Sequence, residues 1–211
     1  MPRVIITCGP SYEPIDEVRR ITNSSSGELG VRLANRLTAS GFEVVCLLGK
    51  MAIFRGACDA ARMIPFSTNE DLQAKLEALA REGGADAVLH AAALADFKVQ
   101  REGGERKIAS RGGIVKLMLV PATKLIARLR PLFPRARLVG WKYELDGTRE
   151  DALAAGRAQI ETFRTDACAV NGAAYGEGFG VLARDGTLTH VPDKGALCEW
   201  LAEWLSRDAA Q

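Results

Sequence analysis

A chain of 211 residues is long enough for one α/β domain with a full core and short for two. Its 28 Lys and Arg residues are nearly matched by 26 Asp and Glu, which excludes a broad nucleic-acid footprint and leaves room for a local anion site. With 47% hydrophobic residues and no apolar run long enough to cross a bilayer, the composition is that of a globular protein with no membrane partner expected.

Val4–Cys8 is β-branched and unbroken and stops at Gly9-Pro10-Ser11, which predicts a buried opening strand. Leu29, Leu33, Ala34 and Leu37 recur at helical spacing between Gly27 and Ser40, so a helix is expected there, ending near Gly41. Glu43–Leu48 reads as a second strand. Asn69–Arg81 reads as a helix with Leu72, Leu76 and Leu79 on one face, and Glu70 and Asp71 near its start suit the helix dipole. Ala85–Ala93 reads as a third strand and Lys116–Val120 as another, followed by a helix over Thr123–Arg130. Arg137–Tyr143 is a strand, Arg149–Phe163 a helix and Asp166–Asn171 a strand. Phe179–Leu182 and Thr187–Val191 flank Asp185-Gly186, a strong hairpin turn. Lys194–Ser206 closes the chain as a helix carrying Leu197, Leu201 and Leu205 with Trp200 and Trp204.

This alternation predicts a single domain over residues 1–211 of the α/β class. The expected form is a Rossmann-like, mostly parallel sheet with helices on both faces, plus a small accessory β hairpin at Asp185-Gly186. In such sheets ligands bind beyond the carboxyl ends of the strands, where the strand order reverses. Val99–Gly113 breaks the rhythm with two Gly-Gly pairs and little apolar content, and reads as a mobile loop of the kind that serves as a lid. The N-terminus runs directly into the first strand without a signal-peptide pattern, so a cytoplasmic location is expected.

The five cysteines are widely spaced and form no CxxC pair; buried, reduced thiols are expected rather than disulfides or a zinc site. With only His90 and His190, a histidine metal cluster or a Ser-His-Asp triad has little to work with, and no protein metal site is expected.

The first strand–helix junction carries the most chemistry. Ser24-Ser25-Ser26-Gly27 precedes a helix, where hydroxyls and free N–H groups make an anion site favoured by the helix dipole. Arg19 offers a planar, permanently charged fork for a phosphate or carboxylate. A single serine there is explained by helix capping alone; three with Asn23 and Arg19 upstream favour a phosphate site. No GxGxxG follows the first strand and no Walker GxxxxGK[ST] occurs, so an NAD-dependent dehydrogenase is poorly supported.

Gly9-Pro10-Ser11-x-Glu13-Pro14-Ile15-Asp16-x-Val18-Arg19 followed by Ile21-Thr22-Asn23-x-Ser25-Ser26-Gly27 resembles the opening signature of the phosphopantothenate–cysteine ligase family. Ala91-Ala92-Ala93-Leu94-Ala95-Asp96-Phe97, Lys107-Ile108, Val139-Gly140-Trp141-Lys142-Tyr143-Glu144 and Asp166 through Asn171 resemble its later motifs, in the family's order. The resemblance implies a ligase of coenzyme A biosynthesis. In that reaction the carboxylate of 4′-phosphopantothenate attacks the α-phosphate of a nucleoside triphosphate and expels pyrophosphate, and the cysteine amine then attacks the acyl-nucleotide. Mg²⁺ with ATP or CTP, a homodimer and small-molecule substrates are implied with it.

By the same resemblance Asn23 holds the acyl-nucleotide, Arg19 lies beside the substrate, and Lys107 turns the intermediate into product. Gly9, Ser11, Ser25, Ser26, Gly27, Ala93, Asp96 and Trp141 fall at nucleotide- or phosphate-binding positions; for Trp141, core packing is an equal alternative. The bacterial bifunctional form carries further lysines after Lys-Ile and a lysine pair where this chain has Gln159 and Phe163. Lys107-Ile108-Ala109-Ser110 instead resembles the monofunctional, ATP-using type, so both nucleotides stay open. Those missing lysines also keep open a degenerate paralogue that binds without ligating. The flavin-dependent decarboxylase half has no counterpart in this sequence, so no FMN is expected.

Overall fold

The computed structural model describes residues 1–100, 106–109, 111 and 113–207. In chain order, β1 (Arg3–Cys8), β2 (Tyr12–Pro14) and β3 (Arg20–Thr22) precede α1 (Glu28–Ala39), β4 (Glu43–Gly49), β5 (Arg62–Phe66) and α2 (Asn69–Arg81). Next come β6 (Ala87–His90), β7 (Phe97–Gln100), β8 (Met118–Pro121), α3 (Ile126–Leu132) and β9 (Arg137–Tyr143). The chain ends with α4 (Arg149–Phe163), β10 (Ala167–Asn171), β11 (Phe179–Ala183), β12 (Leu188–Val191) and α5 (Lys194–Arg207).

Eight strands form one sheet in the order β12-β11-β10-β9-β6-β1-β4-β5. The six from β10 to β5 are parallel, and numbered among themselves they run 3-2-1-4-5-6 from β5, the order of the dinucleotide-binding fold. The strand order reverses between β1 and β6, where Thr7 stands beside His90. That reversal opens a crevice between the connections leaving the two strands.

Both faces of the sheet are covered because side chains alternate along each strand. Val4, Ile6 and Cys8 share one apolar cluster with Leu33 and Leu37 of α1 and Leu197 and Leu201 of α5. Ile5, Val88 and Leu138 point the other way, to Leu72, Leu76 and Leu79 of α2 and Leu129 of α3. Each fully buried leucine contributes about 1.5–3 kcal/mol by leaving water. Thr68 caps α2 by accepting the Asp71 N–H, and Thr148 and Asp151 form a reciprocal capping box on α4.

The hairpin around Asp185-Gly186 forms, but it is the antiparallel continuation of the main sheet rather than a separate accessory piece. The separate ribbons lie elsewhere: β2 with β3, and β7 with β8. The strand expected at Lys116–Val120 is thus β8, paired away from the main sheet. Val99 and Gln100, expected at the start of a loop, belong to β7. Much of the expected lid, residues 101–105, 110 and 112, lies outside the described residues.

Candidate active site at the strand-order reversal

Gly9 leaves β1 with a φ of 74°, in the left-handed region open to glycine at little cost. A Cβ there would also sit 3.1 Å from Ala52 Cβ and 3.2 Å from the Gly49 nitrogen. The chain then makes the β2–β3 ribbon and returns through residues 23–27 to α1, whose N-cap is Gly27 with φ 78°. No side chain caps α1 from that N-cap position; Ser26 Oγ instead accepts the Glu28 N–H at 3.2 Å.

This junction forms one wall of a cavity of about 800 Å³ over the carboxyl ends of β1, β6, β9 and β10. Gly9, Asn23, Ser25, Ser26, Gly27, Ala93, Asp96 and Trp141 all line it, with Asn171 at the end of β10 and Lys194 at the start of α5. A second cavity of about 470 Å³ opens on the α2–α3–α4 side, lined among others by Asn69, His90, Lys124, Lys142, Gln159 and Phe163. Ala92, Asp96 and Trp141 line both, so the two compartments adjoin at the β6 and β9 ends.

Asn23 is tied to the far wall. Its Nδ2 donates to the Leu94 carbonyl at 2.8 Å and the Ala93 carbonyl at 3.3 Å. The amide thus bridges the serine segment and the turn after β6, with its oxygen left to face other partners. The Trp141 indole nitrogen is buried without a hydrogen-bond partner, which leaves an uncompensated donor where the cavities adjoin.

Three sequence expectations fall elsewhere. Ser11 is fully buried, and its Oγ accepts the Ala95 N–H at 2.9 Å; it holds the turn after β6 and lines neither cavity. Arg19 also lines neither cavity: its guanidinium donates to Asp16 at 2.7 Å and to the Ile108 carbonyl at 3.1 Å. Lys107 is exposed and lines neither, but its neighbours are anchored. Ile108 N–H donates to Asp16 at 3.1 Å, and Arg106 pairs with Glu17 at 2.7 Å. Burial alone would raise the Asp16 carboxyl; the N–H groups of Val18, Ile108 and Arg19 and the Arg19 guanidinium outweigh it and hold it down at about 2. Asp16 therefore clips the segment bearing Lys107 to the loop bearing Arg19.

His90 was not singled out in the sequence. It ends β6, is 7% exposed, and its Nδ1 lies 2.7 Å from Thr7 Oγ1 across the strand-order reversal. Burial pushes its pKa down to about 4 from 6.5. The folded protein therefore keeps the ring neutral while the unfolded chain protonates it, so unfolding takes up a proton below pH 6.5. Stability is expected to fall by about 3 kcal/mol as pH drops through that window, and this contribution levels off near the folded pKa. Unfolding midpoints measured from pH 7 to 4 for the natural protein and His90→Asn check this: the variant should lose this part of the slope. Parallel profiles would remove His90 as the source.

Residues 2–200 match the family described as the DNA/pantothenate metabolism flavoprotein C-terminal domain. The chain belongs to this family. It is 34% identical over 169 residues to the coenzyme A biosynthesis bifunctional protein CoaBC of Thermococcus kodakarensis, covering 80% of this chain and 41% of that protein. The chain spans less than half the length of the curated relatives it matches. Among solved structures, the DNA/pantothenate metabolism flavoprotein of Streptococcus pneumoniae superimposes with a TM-score of 0.85 at 21% identity, covering 98% of this chain and 99% of that one. A Cab2 variant in complex with phosphopantothenate-cysteine does so with a TM-score of 0.76 at 16% identity, covering all of this chain and 89% of that one. These likenesses establish the Rossmann-like fold.

Proposed function

We propose that this chain is a ligase domain that joins 4′-phosphopantothenate to L-cysteine through an acyl-nucleotide made from ATP or CTP. The observation that carries this reading is the gathering of Asn23, Ser25, Ser26, Gly27, Ala93 and Asp96 in one cavity at the strand-order reversal. The family match and the CoaBC relatives support it, as does the phosphopantothenate-cysteine complex of a protein with the same fold.

The residues suit the chemistry. The serines, Gly27 and the positive end of α1 favour phosphate oxygens without charge. Asn23, as a neutral amide, orients the acyl phosphate without repelling it. The adjoining cavities let a nucleotide and a pantothenate arm meet near Asp96 and Trp141. Among the described residues no group of three His, Cys, Asp or Glu side chains gathers for a metal. Mg²⁺ suits substrate phosphates with one carboxylate and water, and Asp96 is the carboxylate that lines both cavities. There the ion supplies charge neutralisation during phosphoryl chemistry.

Lys107 acts late in this scheme, brought to the acyl-nucleotide from the segment clipped by Asp16. Lys107→Gln is expected to keep releasing pyrophosphate while amide formation slows by roughly 10²-fold. Quenched-flow detection of both products checks this; loss of both together would move Lys107 to the first step.

A homodimer fits the surface. Phe97, Val115 and Met118 stand more than half exposed and Leu119 slightly less on and beside the β7–β8 ribbon, apolar surface that a second copy would cover. The free cysteines suit a reducing compartment, consistent with the cytoplasm. A second reading, binding without ligation, is favoured by Gln159 and Phe163 where the bifunctional form has lysines; both line the smaller cavity. Mass-spectrometric detection of phosphopantothenoylcysteine from phosphopantothenate, Mg²⁺, cysteine and either nucleotide separates the two, because only the ligase forms the amide.

A further inference from the structure

In the ligase reading, Mg²⁺ at Asp96 leaves one carboxylate of the larger cavity, Glu28, unaccounted for. Two carboxylates line it, Glu28 and Asp96, and Lys194 is the only cation among the described residues that do. With Asp96 given to Mg²⁺ in that reading, Glu28 is left beside the phosphates, and the partial charge of one helix end does not by itself cancel that of a triphosphate. Glu28 is the first residue of α1, next to the serine cradle.

Lys194 comes from the other end of the sequence. Its Nζ pairs with Glu28 Oε2 at 2.5 Å, while Arg32 Nε holds the other oxygen, Oε1, at 2.8 Å. Lys194 is the first residue of α5; the carboxylate that serves this helix start is Asp193 before it, which accepts the Ala196 N–H at 2.8 Å, and the first turn itself holds Lys194 and no acidic residue. A lysine at this end opposes the helix dipole, so helix stability does not account for its placement. Its side chain is 45% exposed, with a stem long enough to swing. When Lys194 leaves Glu28, Arg32 still neutralises the carboxylate.

We infer that Lys194 is the cation that neutralises the phosphate chain of the nucleotide in the larger cavity, and that Glu28 competes with those phosphates for it. This rests on the ligase reading for the identity of the anion. It makes Lys194 a binding residue whose partner changes between free and loaded protein.

A purely structural ion pair between α1 and α5 predicts that breaking it from either side has the same effect. The inference predicts opposite effects. Calorimetric titration with ATP and CTP in Mg²⁺, without phosphopantothenate, reads this directly in the intact chain. Lys194→Gln should raise the Kd for the better nucleotide about tenfold, Glu28→Gln should lower it about threefold, and Lys194→Arg should stay near the natural value. In the ligation assay, Lys194→Gln should raise the nucleotide KM and leave kcat within about twofold. Shifts of the same sign in Lys194→Gln and Glu28→Gln, or an unchanged Kd in Lys194→Gln, overturn the inference. If the natural protein ligates while Lys194→Gln keeps its KM, the inference alone fails. If the natural protein binds neither nucleotide, the ligase reading fails and takes the inference with it. Weakened triphosphate binding in Lys194→Gln of a protein that does not ligate leaves the inference standing without that reading.

Discussion

Asn23→Asp is expected to lower kcat/KM for ligation by roughly 10²–10³-fold and to leave the unfolding midpoint nearly unchanged. Two effects add. The new carboxylate faces the Ala93 and Leu94 carbonyl oxygens with no proton to donate, where the amide now donates to both. It also places a negative charge in the wall proposed to hold the acyl phosphate. Position 23 is exposed, so the fold loses little while the two sides of the cavity lose their link. Asn23→Ala removes the link without the charge and should fall between the natural protein and the aspartate variant. Steady-state kinetics alongside thermal denaturation measures both properties. Turnover within twofold of normal in Asn23→Asp would take Asn23 out of the chemistry.

Gly30→Ala should cost about 1–3 kcal/mol of stability and depress activity with it. A Cβ at position 30 would lie 2.0 Å from Cys8 Cβ and 2.5 Å from its sulfur, inside any real contact. Cys8 is in β1 and fully packed, so α1 has to move away from the sheet. That movement carries Ser25, Ser26 and Gly27 with it, because Gly27 is the N-cap of the same helix. For a protein of this size the cost corresponds to a fall in Tm of about 3–10 °C. The double variant Gly30→Ala with Cys8→Gly restores the space and should recover part of the loss. A Tm equal to the natural protein's in Gly30→Ala would mean that α1 does not ride this closely on β1.

The parts of the fold that were legible in the sequence are those with a periodic apolar signal. Val4–Cys8 and the leucines of α1, α2 and α5 announced themselves because their buried sides are continuous. β5 did not: Arg62-Met63-Ile64-Pro65-Phe66 is an edge strand with only Phe66 buried, and Pro65 argues against a strand from sequence. The β2–β3 and β7–β8 ribbons were missed or misplaced for a related reason. β3, β7 and β8 are mostly exposed and the buried residue of β2 is the charged Glu13, so neither ribbon shows the apolar alternation that burial imposes.

At the candidate site, residues close in sequence fall on one wall, whereas partners brought together by folding leave no local pattern. Asn23, Ser25, Ser26 and Gly27 line one wall together. Ser11 looked equivalent, yet the Ala95 N–H takes its hydroxyl, a partner 84 residues away that no local pattern reveals. Lys194 was read only as the start of a helix, because its pairing with Glu28 spans 166 residues. His90 carried no local signal either; its neutrality comes from burial beside Thr7.

In the proposed reaction this cavity activates a carboxylate with a nucleotide. The direct test mixes the protein, at concentrations near those of its substrates, with 4′-phosphopantothenate, Mg²⁺ and either ATP or CTP, and follows pyrophosphate before cysteine is added. A burst of up to one pyrophosphate per site that requires phosphopantothenate is expected, followed by continuous turnover once cysteine enters. Folded protein that releases no pyrophosphate with either nucleotide, or releases it equally without phosphopantothenate, would contradict the proposed reaction.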